Sequence, residues 1–132
     1  MSCNHEETGG NEIGQKIEYT DLLNQPRISC HNEKVKIIKN SKNEPAIIRK
    51  RCFDLLEQEE AFFFELENKH DDFYSEGVFP LGVIPMQFCK ESLSVKISGN
   101  VISCVVGAGC SEPNVKLAYF HLFEVQSIKI NK

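Results

Sequence analysis

Hydrophobic positions in this chain are most regular between residues 45 and 77. Ile48, Cys52, Leu55, Phe62, Leu66 and Phe73 are separated by three, four or seven residues, which places them on one stripe of a 3.6-residue helix. Ile47, Leu56 and Phe63 widen that stripe. Asn43, Glu44 and Pro45 supply a cap and a first turn, because proline's missing N–H costs nothing there. Gly77 supplies a stop. The spacing predicts one long helix over 45–77, roughly thirty residues and about 45 Å at about 1.5 Å per residue. Its centre is the run Ala61-Phe62-Phe63-Phe64-Glu65-Leu66.

Around that rod the pattern changes to short runs. Residues 1–16 are polar, with Gly9-Gly10 and a single aliphatic, Ile13, and read as a disordered arm. Residues 17–132 read as a single domain. The stretch 17–24 fits a strand or a helical turn equally, and Pro26 ends it. Two short runs flank His31-Asn32-Glu33 and suggest a hairpin, with Val35, Ile37 and Ile38 apolar. After the helix, 78–88 is apolar but carries Pro80 and Pro85, so it is expected as an extended edge segment. Residues 93–106 read as a hairpin turning on Gly99-Asn100. From 117 to 130 apolar residues occupy both faces, as in a central or covered strand. The switch to even positions at Ile128 and Ile130 predicts a bulge at Gln126-Ser127. The expected fold is therefore α+β: one long central helix against a mainly antiparallel sheet, an N-terminal hairpin before it and a β-meander after it.

Composition alters this picture little. The chain has 132 residues, 41% hydrophobic and 26% charged, the content of an ordinary globular domain. A net charge of −4 argues against nucleic-acid binding through the whole surface. No apolar run approaches the length of about 18 that spans a bilayer. The first residues lack the basic and apolar segments of a secretory signal. That points to an intracellular, cytoplasmic or nuclear protein, and to reduced thiols at Cys3, Cys30, Cys52, Cys89, Cys104 and Cys110.

Charge order is the more informative feature. Lys34, Lys36, Lys39, Lys42, Arg49, Lys50 and Arg51 precede Asp54, Glu57, Glu59, Glu60, Glu65, Glu67, Asp71, Asp72 and Glu76. A helix dipole favours the reverse, by about 0.3–1 kcal/mol per charge. Two such helices laid antiparallel would match base to acid, with Phe62, Phe63 and Leu66 at their crossing. Alternatively, the aromatics merely fill a sheet-facing core and the charges are incidental.

Candidate chemistry is sparse. Cys104, Tyr119 and His121 fall near one another along the expected strands, and with Phe63 they could line a pocket between helix and sheet. Cys30 and His31 are adjacent on a strand and so point to opposite faces. The Cys104 and Cys110 spacing is too loose for a zinc site, so no metal is expected. Gly107-Ala108-Gly109 leads to Pro113 instead of a helix, so no dinucleotide cradle or other cofactor is expected. No catalytic set is legible. The pattern favours a non-enzymatic protein–protein interaction or assembly module, a homodimer serving as a scaffold in a larger complex. Its interaction residues would be Phe62, Phe63, Leu66, Glu59, Arg49, Lys50 and Arg51. Its acidic helix half suits a basic, histone-like peptide, and the basic 34–51 segment is a weaker candidate for nucleic acid. A small-ligand-binding or catalytic domain with the helix–sheet pocket is the alternative.

Overall fold

Residues 45–52 and 60–66 build strands, and no long helix forms among the described residues. The computed structural model describes residues 3–4, 28–30, 34–53, 60–67, 77–81, 84–108 and 118–131. Within them lie β1 (Cys3–Asn4), β2 (Ile28–Cys30), β3 (Ile37–Cys52), β4 (Glu60–Leu66), β5 (Gly77–Leu81), β6 (Ile84–Pro85), a 3₁₀ turn (Met86–Phe88), β7 (Ser94–Ala108) and β8 (Ala118–Ile130). The α+β expectation is corrected to a β-rich mixed sheet. Ile47, Ile48 and three consecutive phenylalanines are β-branched or aromatic, which suits a pleated surface. A strand buried on both faces has a continuous apolar run, and β4 is one: Ala61, Phe63, Phe64 and Leu66 are all buried. The helical stripe was produced by reading the apolar residues of β3, which has one buried face, and of β4 as one run.

The strands close on themselves. β3 pairs antiparallel with β4, and β4 with β5. β7 returns to lie beside β3, which gives the spatial order β7-β3-β4-β5 of a Greek key. β8 then fills the gap, parallel to β5 and antiparallel to β7. The result is a five-stranded barrel. β2 lies on the same edge of β7 as β3, with Ile28 opposite Val106 and Ile37 opposite Ile102, so the two run in line. The expected N-terminal hairpin is thereby overturned. β1 pairs with β6, Cys3 opposite Ile84, which places the start of the expected arm against the chain. Residues 5–16 lie outside the described residues.

Two apolar clusters follow from the register. The first draws on all five barrel strands and fills the interior: Ala46 and Ile48, Phe64 and Leu66, Val78, Val95, Ile97 and Val101, and Phe123, Val125 and Ile128. Phe88 of the 3₁₀ turn joins it. The second lies on the outward face of β4, β5, β8 and the distal part of β7. Phe53, Phe63, Phe79 and Phe120 are its centre, with ring centroids 4.4–5.9 Å apart. Edge-on aromatic contacts of this kind contribute about 0.5–1.5 kcal/mol beyond area burial.

Three further expectations meet the register here. The hairpin at Gly99-Asn100 is absent, because β7 runs unbroken through both residues with β3 on one edge and β8 on the other. Tertiary pairing overrides the local turn signal. The supposed edge segment is a central strand, since β5 lies between β4 and β8 and is buried throughout. Pro80 lies beyond the β4 ladder, which among the described residues reaches only Gly77 and Val78. The bulge does form: Gly99 faces Val125 while Ser98 faces Ser127, so Gln126 is the extra residue and Ile128 turns inward.

Gly99 sits where the backbones of β7 and β8 approach closely. A Cβ there would fall on the Glu124 carbonyl oxygen and 2.9 Å from the Phe123 ring. Gly99→Ala is therefore expected to destabilise the protein by about 1–3 kcal/mol, the usual cost of overpacking, as read by urea unfolding. Phe64→Ala, at a fully buried interior position, should cost about 3–5 kcal/mol in the same assay. A loss under 0.5 kcal/mol for Phe64→Ala would contradict the barrel interior assigned to it.

Candidate functional site

The charge order that looked wrong for a helix is right for a hairpin. β3 carries Arg49, Lys50 and Arg51 and β4 carries Glu60 and Glu65; with Arg49 opposite Phe63 and Lys50 opposite Phe62, antiparallel pairing brings base and acid within diagonal reach, while the acids at 54, 57, 59, 71, 72 and 76 lie outside the described residues. Arg49 Nε donates to Glu65 Oε1 at 3.3 Å, while Arg49 Nη1 donates to Ser92 Oγ at 3.0 Å. Lys50 Nζ lies 4.0 Å from Glu60 Oε2 and 5.3 Å above the Phe62 ring. These side chains are partly solvated, so each pair contributes about 0–1 kcal/mol.

The residues expected to form one interaction stripe are thus dispersed. Phe63 faces the outer aromatic cluster, whereas Leu66 faces the barrel interior with Phe62 packed at its margin. Arg49 and Arg51 are half-buried and Lys50 is exposed on β3. Glu59 lies outside the described residues. The antiparallel crossing of two helices has no basis once the helix is gone.

The proposed pocket residues also separate. Cys104 is bonded to Cys30 across the β2–β7 pair, where the two are direct register partners with Cα atoms 3.9 Å apart. Cys52 and Cys89 are disulfide-bonded as well, and no described cysteine is free. The expectation of reduced thiols is corrected for Cys30, Cys52, Cys89 and Cys104, while Cys110 and the Cys3 side chain lie outside the described residues. Side-chain alternation on β7 sends Cys104 to the outer cluster, while His121 pairs with Val105 on the opposite face. His121 is buried, with Nδ1 3.0 Å from the Ile102 carbonyl oxygen. Tyr119 is exposed. No thiol–imidazole pair forms, and without a helix there is no helix–sheet cleft. Among the described residues, no group of three or more His, Cys, Asp or Glu side chains is arranged to hold a metal. No helix among them is long and apolar enough to cross a membrane.

What the structure does assemble is a polar outer surface on β3, β7 and β8. Asn40 Nδ2 donates to Asn100 Oδ1 at 2.7 Å, and Asn100 Nδ2 donates to Glu124 Oε1 at 2.8 Å, a chain of side chains crossing three strands. Beside it, residues 34–43 run along β7 with most of their side chains on the surface. Val35, Ile37 and Ile38 are 37%, 62% and 43% exposed, high values for aliphatic side chains on one short segment. Lys34, Lys36 and Lys42 are exposed among them and make no ion pair with a described residue. Lys39 Nζ is bonded to Glu44 Oε1 at 2.9 Å. The lysines and the aliphatics were visible in the sequence. Their exposure was not, because alternating apolar residues ordinarily signal a buried strand face.

Breaking the Cys30–Cys104 bond, which joins positions 74 residues apart, should lower stability by about 2–5 kcal/mol. Thermal unfolding of the Cys30→Ser, Cys104→Ser double variant checks this, and an unchanged midpoint would mean the two thiols are not paired. Asn100→Ala should cost about 1–3 kcal/mol, since Asn40 and Glu124 both lose their shared partner in a half-enclosed site.

Compared with protein-family models, curated proteins and solved structures, the chain matches none.

Proposed function

We propose that this chain is a non-enzymatic recognition module that binds another protein through the outside of a disulfide-stapled barrel. The supporting observation is how its chemistry-bearing side chains are employed. Cys104 is in a cystine, His121 is packed against a carbonyl, and Arg49, Lys50 and Lys39 are paired. The barrel interior is occupied by apolar residues from every strand. Chemistry left over for a partner lies on the surface.

The protein class is favoured over nucleic acid by one comparison with general architecture. Five-stranded Greek-key barrels of the OB type bind oligonucleotides and oligosaccharides on the outer face of their second and third strands. In this barrel those strands are β4 and β5. Their outer aromatics Phe63 and Phe79 are buried against Phe53, so they offer no platform on which bases could stack. The overall charge of −4 points the same way. The cystines favour an oxidising compartment over the reducing cytosol.

Selection of a random displayed-peptide library on the oxidised protein tests the reading. Enriched peptides that bind the purified barrel saturably are expected. Their affinity should fall when an exposed apolar residue among Ile37, Met86, Tyr119 and Ile130 is changed to Ser. No enrichment over an inert carrier protein would remove the proposal.

A further inference from the structure

We infer that residues 34–43 form the docking strip, and that its occupant is an extended acidic segment of a partner protein in which carboxylates alternate with aliphatic side chains. This rests on the recognition reading above and assigns it a place and a chemistry.

The strip is built by an interrupted strand. The register of β3 against β7 slips between Ile37 and Lys39 and again between Ser41 and Glu44. Each slip inserts one unpaired residue, which re-aims side chains that regular alternation would send to opposite faces. The first slip leaves the neighbours Ile37 and Ile38 both exposed. The second is held by Asn43, whose φ of 50° is left-handed and whose N–H donates to Ser98 Oγ at 2.9 Å. Further stitching anchors the strip's start: Lys36 N–H donates to Ser103 Oγ at 3.0 Å, and Ser103 N–H donates to the Lys36 carbonyl at 2.8 Å. The exposed side chains therefore stand on a fixed backbone.

Charge complementarity selects the occupant. Val35, Ile37 and Ile38 are interleaved with Lys34, Lys36 and Lys42, three cations without an anionic partner among the described residues. A second copy of the chain is disfavoured, since antiparallel pairing of two such strips would set lysines against lysines. A bare polyanion would satisfy the lysines but leave three exposed aliphatics against water. An acidic–aliphatic strand satisfies both. β4 takes up its place beside β3 only from Ala46, so β4 does not line the edge of β3 away from β7 before that residue. The two slips limit ladder addition along that edge, so side chains carry most of the recognition.

A fluorescein-labelled peptide of alternating Glu and Leu, followed by anisotropy, is the direct probe, with poly-glutamate and a heparin oligosaccharide as comparators. The alternating peptide should bind saturably and more tightly than either comparator. Ile37→Ser and the pair Lys36→Glu with Lys42→Glu should each weaken it by about tenfold, with Lys90→Glu neutral. Unfolding midpoints identify any variant that has merely lost its fold, and Ile38→Ser provides an independent second substitution. Absence of saturable binding would overturn the inference. So would comparators that bind equally well and ignore the Ile changes, which would mark a polyanion site. Loss of self-association in the variants would instead make a second copy the occupant and also overturn it. Library peptides that bind but respond only at Met86 or Tyr119 would defeat this placement while leaving the recognition function standing.

Discussion

The structure depends on β7 being paired along both edges. β7 meets β3 through residues 94–102 on one side and β8 from Val95 to Ala108 on the other, so the sheet closes instead of ending in open strands. Closure alone removes sheet edges fully. It also sets the two cores. Odd-numbered residues of β7 (Val95, Ile97 and Val101) face inward. Ile102, Cys104 and Val106 lie in the outer aromatic cluster. A one-residue slip would exchange those sets and send Lys96 and Ser98 into the barrel.

Closing five strands into a barrel demands local irregularity, and the chain supplies it at identifiable places. Gln126 is the extra residue that lets β8 keep its inward set while bending. Gly99 opposite that point permits a backbone approach that no side chain could share. On the other edge of β7, the slips near Ile38 and Asn43 carry the first half of β3 along β7 before its second half joins β4. The same irregularities that allow closure leave Ile37 and Ile38 exposed. Packing and surface chemistry have one cause here.

The cystines and the Asn40–Asn100–Glu124 chain act between elements distant in sequence. Cys30 and Cys104 fix β2 to β7, in line with β3, and the asparagines tie the outer faces of β3, β7 and β8. The cysteines are used as staples where buried free thiols were expected. The candidate surface sits beside these ties, on a part of the barrel held by bonds from three strands.

Sequence alone determined what depends on neighbours within a few residues. The double-sided apolar strand ending in a bulge at Gln126-Ser127 was legible because alternation and its parity switch are local facts. The exposed lysines of 34–42 were legible as charges, and the bases before acids in 45–66 as an order demanding an explanation. Tertiary structure decided everything that turned on pairing. Apolar residues at three-, four- and seven-residue steps fit a helix, yet they arise equally when a strand with one buried face precedes a strand buried on both, and only β4 docking on β3 settles the choice. Gly99-Asn100 has the residues of a turn, but partners on both edges keep β7 straight. Cysteine pairing, the separation of Cys104 from His121 onto opposite faces, and the exposure of Val35, Ile37 and Ile38 all follow from contacts between residues far apart in the chain, where no local pattern carries a signal.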